Sequence, residues 1–224
     1  MIVVGGETAQ MPDLYGEHGF DLAGFAVGWL KPQEHLTVET MRPGDELWGW
    51  SSSGPHSNGF SWLRRLFDSA RDANFIREQL MPPTKLYAKS FFELRDKTLN
   101  PGDLHGAFHV TGSGVLNFVR SQPKGRTIGF DLKEWGEQPA PVWIQGVAER
   151  AGLPRGARVL RDLAVDHDQA RTLWTTFNMG YGFAVVLAPE LVAREETRLK
   201  SSGLVRLGRV IDQPCVRVGD LTLS

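Results

Sequence analysis

Glu46-Leu-Trp-Gly-Trp-Ser51 runs into Ser52-Ser-Gly-Pro-His-Ser-Asn-Gly59, and that loop opens onto the stretch from Ser61 to Ala70. The first six residues read as a strand. The last ten read as a helix, with Trp62, Leu63, Leu66 and Phe67 on one face and Arg64, Arg65 and Asp68 off it. The loop between them is rich in Gly and Ser, follows a strand and precedes a helix. Its backbone N–H groups can therefore converge where a helix N-terminus favours an anion. It also carries His56, Ser57 and Asn58, a set of donors and acceptors suited to phosphate, ribose or amide groups. The competing reading is a capped turn whose Ser and Asn satisfy its own backbone. It is not a Walker A loop, because no Gly-Lys-Ser/Thr closes it.

Working outward, Ile2 to Val4 is a short β-branched run stopped by Gly5-Gly6, a strand entering a tight turn. Asp21 to Leu30 is apolar with Gly24 and Gly28 inside it, a density of glycine that disfavours a helix and predicts a buried strand. On the other side, Pro82-Pro83 precedes an amphipathic helix over Leu86 to Arg95. Leu104 to Thr111 continues as strand into a second glycine-rich loop, Thr111-Gly-Ser-Gly114. A helix with a glycine C-cap spans Pro139 to Gly152, and Thr176 to Leu187 is strand-like. Pro189 to Lys200 is a charged helix, with Leu204 to Ile211 and Cys215 to Val218 as closing strands. The irregular alternation predicts an α+β fold, a mixed or antiparallel sheet with helices packed on one side.

The 224 residues are 41% hydrophobic and 23% charged, with 25 Gly, 13 Pro and one Cys, which excludes disordered, collagen-like and disulfide-scaffold classes. Such a length suits one large domain, or one domain plus a fragment. The net charge of -1, from 25 basic and 26 acidic residues, provides no field for nucleic-acid backbone. A lone Cys215 excludes an intrachain disulfide and a cysteine zinc cage, and fits a reducing cytoplasm. No apolar run reaches the ~20 residues of a membrane span, and the N-terminus lacks the basic flank of a signal peptide. Glu7, after Gly5-Gly6, reads either as a carboxylate for Mg²⁺ beside a nucleotide phosphate or as a solvated turn residue. His105 and His109 stand i, i+4, but Gly106 and Val110-Thr111 favour a strand, so neither is read as a metal ligand.

Taken together, these stretches resemble the phosphoribosylformylglycinamidine cyclo-ligase (aminoimidazole ribonucleotide synthetase) family. Gly5-Gly-Glu-Thr-Ala-Gln-Met-Pro12 with Tyr15 is similar to its Gly-Gly-Glu-Thr-Ala-Glu-Met-Pro signature, and Asp21-Leu-Ala-Gly-Phe-Ala-Val-Gly28 to the strand after it. Ser52 to Gly59 is similar to the family's central substrate loop almost letter for letter. Pro83-Thr-Lys-Leu-Tyr-Ala-Lys89, His109-Val-Thr-Gly-Ser-Gly114 and Thr176-Phe-Asn-Met-Gly180 follow in the family's order.

The resemblance implies ATP-dependent ring closure of formylglycinamidine ribonucleotide to aminoimidazole ribonucleotide in purine biosynthesis. ATP activates the formamide oxygen, the amidine nitrogen attacks that carbon, and phosphate leaves. It places Glu7 and Thr8 at ATP, with Glu7 on Mg²⁺. It makes His56 the catalytic residue, and gives substrate contacts to Ser57, Asn58, Gly59, Thr111, Gly112 and Gly114. The family's upstream ATP-binding domain, with its Asp-Gly-Val-Gly-Thr-Lys segment, has no counterpart in this sequence. Residues 1–36 are accordingly expected to be a two-strand remnant of that domain, and residues 37–224 the C-terminal substrate-binding domain. The family's Thr-Gly-Gly-Gly loop carries Ser113 here, its acidic sixth signature position is Gln10, and Asp13 replaces a glycine. The expected partners are the ribonucleotide and either a second copy of the chain or a separate ATP-binding half, with no nucleic acid or membrane. The isolated chain is expected to be inactive, and a non-catalytic substrate-binding module is the alternative.

Overall fold

A computed structural model describes residues 2–8, 19–31, 35–36, 38–120, 122, 125 and 127–224. The chain divides into two units, Met1–His35 and Leu36–Ser224.

The second unit contains, in order, β1 (Glu46–Ser51), α1 (Phe60–Leu66), α2 (Ala73–Phe75, continued as a π-helix over Ile76–Leu80), α3 (Ala88–Thr98), β2 (Leu104–His109), α4 (Asn117–Arg120), β3 (Gly129–Asp131), α5 (Lys133–Gly136), α6 (Val142–Arg150), α7 (Asp168–Thr176), β4 (Tyr181–Leu187), α8 (Pro189–Ser201), β5 (Leu204–Ile211), β6 (Val216–Val218) and β7 (Leu221–Leu223). The strands form one sheet in the order β2-β4-β1-β5-β3-β6-β7. Its pairs are antiparallel except β3 with β6, so the expected α+β mixed sheet is present.

The two-residue period of the central strands sorts their side chains between two cores. Leu47, Ala184, Val186 and Leu207 enter the larger core, where Trp135 of α5, Ile144 and Val147 of α6, and Leu173 and Trp174 of α7 cover them. Most helices pack on this side. The intervening residues Trp48, Trp50, Val185 and Leu187 enter a smaller cluster, roofed by Leu94 of α3 and by Leu191, Val192 and Leu199 of α8. Each fully buried Leu or Val contributes about 1.5–3 kcal/mol over its exposed state. The central strands β4 and β1, apolar on both faces, are therefore the stable frame, with β5 paired along β1.

Local chemistry moves some boundaries from their expected places. The helix expected to reach Ala70 stops at Leu66, because the Asp68 carboxylate accepts the N–H groups of Ala70 and Arg71 and builds a turn instead. Thr176 is the last residue of α7 rather than the start of a strand, and β4 begins only at Tyr181. Between them Met179 and Gly180 take left-handed φ angles of 45° and 87°, which no strand accommodates.

The first unit departs from expectation. Neither Ile2–Val4 nor Asp21–Leu30 is a strand, and the expected burial of the latter is absent: Val4, Phe25 and Trp29 are 98%, 94% and 95% exposed. A strand needs a hydrogen-bonding neighbour and a cover for its apolar face, and the described residues of this unit supply neither. Gln10, Asp13 and Tyr15 lie outside the described residues.

Candidate functional site

The loop between β1 and α1 is fixed from several directions at once. The Ser52 N–H donates to the Gly180 carbonyl at 2.8 Å. The fully buried Asn178 donates through Nδ2 to the Gly54 carbonyl at 2.8 Å, and its Oδ1 accepts from the Gly180 N–H and the Ser52 hydroxyl, each at 3.0 Å. From the other side, the Tyr87 hydroxyl donates to the Ser51 carbonyl at 3.0 Å and Lys85 Nζ donates to the same oxygen at 3.2 Å. These bonds hold His56 and Ser57 at φ of 54° and 63°. Such a conformation costs non-glycine residues of order 1–3 kcal/mol and persists only where the surroundings over-determine it.

His56 is at the centre of that arrangement and is 5% exposed. Its Nε2 faces the backbone N–H groups of Ser53, at 3.0 Å, and of Lys85, at 3.4 Å, so Nε2 is the acceptor and the ring proton sits on Nδ1. Nδ1 is buried with no hydrogen-bond partner among the described residues. Burial, followed by the charges of His109 and Lys85, lowers its pKa to about 4, and the ring is neutral at pH 7. The approach of this ring to β4 requires glycine at residue 182, where a Cβ would lie 2.5 Å from Cε1 and 2.6 Å from Nδ1. His56, expected to act on substrate, is thus enclosed and occupied by the loop's own backbone.

The second glycine-rich loop comes alongside the first. Asn58 Oδ1 lies 3.5 Å from the place a Cβ would occupy on Gly112, while Asn58 Nδ2 donates to the His56 carbonyl at 3.0 Å. Thr111 Oγ1 accepts from Asn117 Nδ2 at 3.2 Å. Ser57 and Gly112 are exposed, and Asn58 and Thr111 are half-buried. These four form an open polar patch. Gly59 and Gly114 turn away from it toward the end of α7: a Cβ on Gly59 would lie 2.7 Å from Phe177 Cζ, and one on Gly114 2.9 Å from the Phe177 carbonyl. Glu7 and Thr8 are exposed residues of the first unit. Among the described residues no three His, Cys, Asp or Glu side chains group as a metal site, and no helix is long and apolar enough to cross a membrane.

Residues 42–220 match the AIR synthase related protein family, C-terminal domain. The chain belongs to this family. It is also similar to the phosphoribosylformylglycinamidine cyclo-ligases of Xanthomonas oryzae pv. oryzae and Xanthomonas campestris pv. campestris, with 34% and 35% identity over 93% of its length. The cyclo-ligase of Xylella fastidiosa is 34% identical over the same share. The chain spans only 59% of the Xanthomonas proteins and 56% of the Xylella one. Among solved structures, a hydrogenase maturation protein HypE superimposes with a TM-score of 0.52 at 16% identity, covering 84% of this chain and 55% of that one. The E. coli HypE gives 0.51 at 17% identity, over 83% and 49%. At those identities the likeness is one of fold.

Four residues of this AIR synthase related domain hold the site without standing out in the sequence as site residues: Ser52, Lys85, Tyr87 and Asn178. The signal was present, since each lies inside a motif quoted for the resemblance. What the motif did not reveal is that Asn178, from 124 residues downstream, supports Gly54.

Proposed function

We propose that this chain is the substrate-binding part of an ATP-dependent cyclo-ligase that closes formylglycinamidine ribonucleotide to aminoimidazole ribonucleotide in purine biosynthesis. The observation that carries the reading is the pairing of the two glycine-rich loops, with Asn58 Oδ1 3.5 Å from the Cβ position of Gly112. That pairing puts Ser57, Asn58, Thr111 and Gly112 side by side as a fixed polar surface. Fixed donors and acceptors favour positioning and charge stabilisation over nucleophilic attack. In this reading Ser57 and Asn58 contact the reacting amide and amidine groups, and Thr111 and Gly112 hold the ribose or phosphate. His56 serves as a positioning residue: neutral, enclosed, and gathering the Ser53 and Lys85 N–H groups so that Ser57 and Asn58 stay presented. Gly59 and Gly114 let the loops close against α7.

When bound, ATP supplies the phosphoryl group that activates the formamide oxygen. Glu7 would supply one carboxylate toward Mg²⁺, with Thr8 beside it. Magnesium commonly binds through one or two carboxylates plus phosphates. The partner is a separate ATP-binding half, or a second copy of the chain, in the cytoplasm. The enclosed His56 favours a second reading, a substrate-binding module without turnover.

The test incubates purified chain with formylglycinamidine ribonucleotide, ATP and Mg²⁺, with and without the ATP-binding half of the Xanthomonas campestris cyclo-ligase. Product forms only in the mixture. Substrate binding without product in either tube selects the second reading, and absence of substrate binding in both overturns the two together.

A further inference from the structure

On the α3 side of the sheet lies a pocket of 370 Å³, whose wall includes Lys85 and Tyr87 of the first loop's supports but none of Ser57, Asn58, Thr111 and Gly112. That is within the ~300–1,000 Å³ range of small-molecule sites. Its walls are aromatic. Tyr87 stacks on Phe183 at 5.6 Å, Phe91 meets Phe183 edge-on at 5.7 Å, and Phe92 meets Phe91 edge-on at 5.7 Å. Phe92 is held by the Arg95 guanidinium, 4.8 Å from its ring centre, yet remains 48% exposed.

The basic groups lining the pocket are Lys85 and His109, and its lining includes no Asp or Glu among the described residues. Lys85 Nζ, 5.7 Å from the Tyr87 ring centre, donates to the carbonyl and hydroxyl of Ser51 and pairs with no carboxylate among the described residues. The exposed His109 ring is 6.1 Å from both Tyr87 and Phe183.

We propose that this pocket binds a mononucleotide, with the planar base against the Phe91, Phe92 and Phe183 rings and the phosphate between Lys85 and His109. Aromatic faces stack on any base. A phosphate, with three terminal oxygens, can accept from a lysine and an imidazole together, where a neutral ligand would leave the Lys85 ammonium without a counter-charge. The site is separate from the polar patch proposed for the ring-closing substrate, and binding there needs neither turnover nor a partner chain.

Isothermal titration of the full chain at low salt tests it, with AMP, adenosine and inorganic phosphate as probes. AMP binds with Kd below about 1 mM, and adenosine and phosphate each bind at least about tenfold more weakly, because each engages half of the pocket. Lys85→Ala and Phe92→Ala each weaken AMP about tenfold. Both residues are at the surface, and circular dichroism confirms that the variants fold. Ser57→Ala, on the polar patch, leaves AMP affinity within about twofold. No AMP binding, phosphate bound as tightly as AMP, or AMP affinity lost in Ser57→Ala but kept in Phe92→Ala each overturns the proposal. None of these outcomes bears on the ring-closure assay, so the two readings fail separately.

Discussion

Ser51–Gly59 and Asp21–Leu30 are both short, glycine-containing stretches whose sequences resemble the same family, and they end in opposite states. The first is mostly polar, yet it is fixed by Asn178, Tyr87, Lys85 and the Gly180 backbone, with His56 buried at its centre. The second is mostly apolar, yet Leu22, Phe25, Val27 and Trp29 are each more than 85% exposed. Composition therefore does not decide burial. A polar loop is held in place when neighbouring segments satisfy most of its polar groups, and an apolar stretch stays exposed when the chain offers it no second surface.

The sharpest way to break the fixed loop is Gly182→Val. Its side chain would enter the space of the His56 ring and the Tyr87 hydroxyl. The expected loss exceeds about 4 kcal/mol and leaves little folded protein, as judged by urea unfolding. Asn178→Ala comes next. It strands the Gly54 carbonyl and the Gly180 N–H in a buried place, with an expected loss of about 3 kcal/mol by the same measurement.

His56 gives the loop a pH signature. Its folded pKa of about 4 lies below the ordinary value of 6.5, so between these the unfolded chain binds more protons and stability falls as pH is lowered. The contribution is complete above pH 6.5 and is lost as the pH drops toward 4, by no more than about 3 kcal/mol. His56→Asn keeps an acceptor for the Ser53 N–H and removes this titration. Its stability profile over that window is expected to be flatter than that of the parent chain. The exposed stretch should behave in the opposite way. Phe25→Ser with Trp29→Ser shifts unfolding by less than about 0.5 kcal/mol, while abolishing concentration-dependent association in sedimentation velocity.

The same contrast explains what could be read from the sequence. The strand–loop–helix over Glu46–Leu66, the helices at Ala88–Thr98 and Pro189–Ser201, and strand Leu204–Ile211 were legible because each carries its own periodicity and punctuation. Gly129–Asp131 and Leu221–Leu223 were not, since three residues are too few to show a period of two. Helix Asp168–Thr176 buries Ala170, Leu173 and Trp174 at helical spacing, but its β-branched last residue, Thr176, reads as the start of a strand. In the candidate site, the open residues Ser57, Asn58, Thr111 and Gly112 were legible as loop chemistry. The enclosure of His56 was not, because it depends on Gly182 and Lys85, which join it only in the folded sheet.

Native-state hydrogen exchange on the dilute, monomeric chain tests the central claim, that the 36–224 unit alone holds the loop in its finished form. The amides of Ser52, Ser53 and Gly180, bonded to Gly180, His56 and Asn178, should exchange only with global unfolding. Those of residues 20–30 should exchange without measurable protection. Rapid exchange at Ser52 and Ser53, alongside strand-like protection in 20–30, would contradict the account.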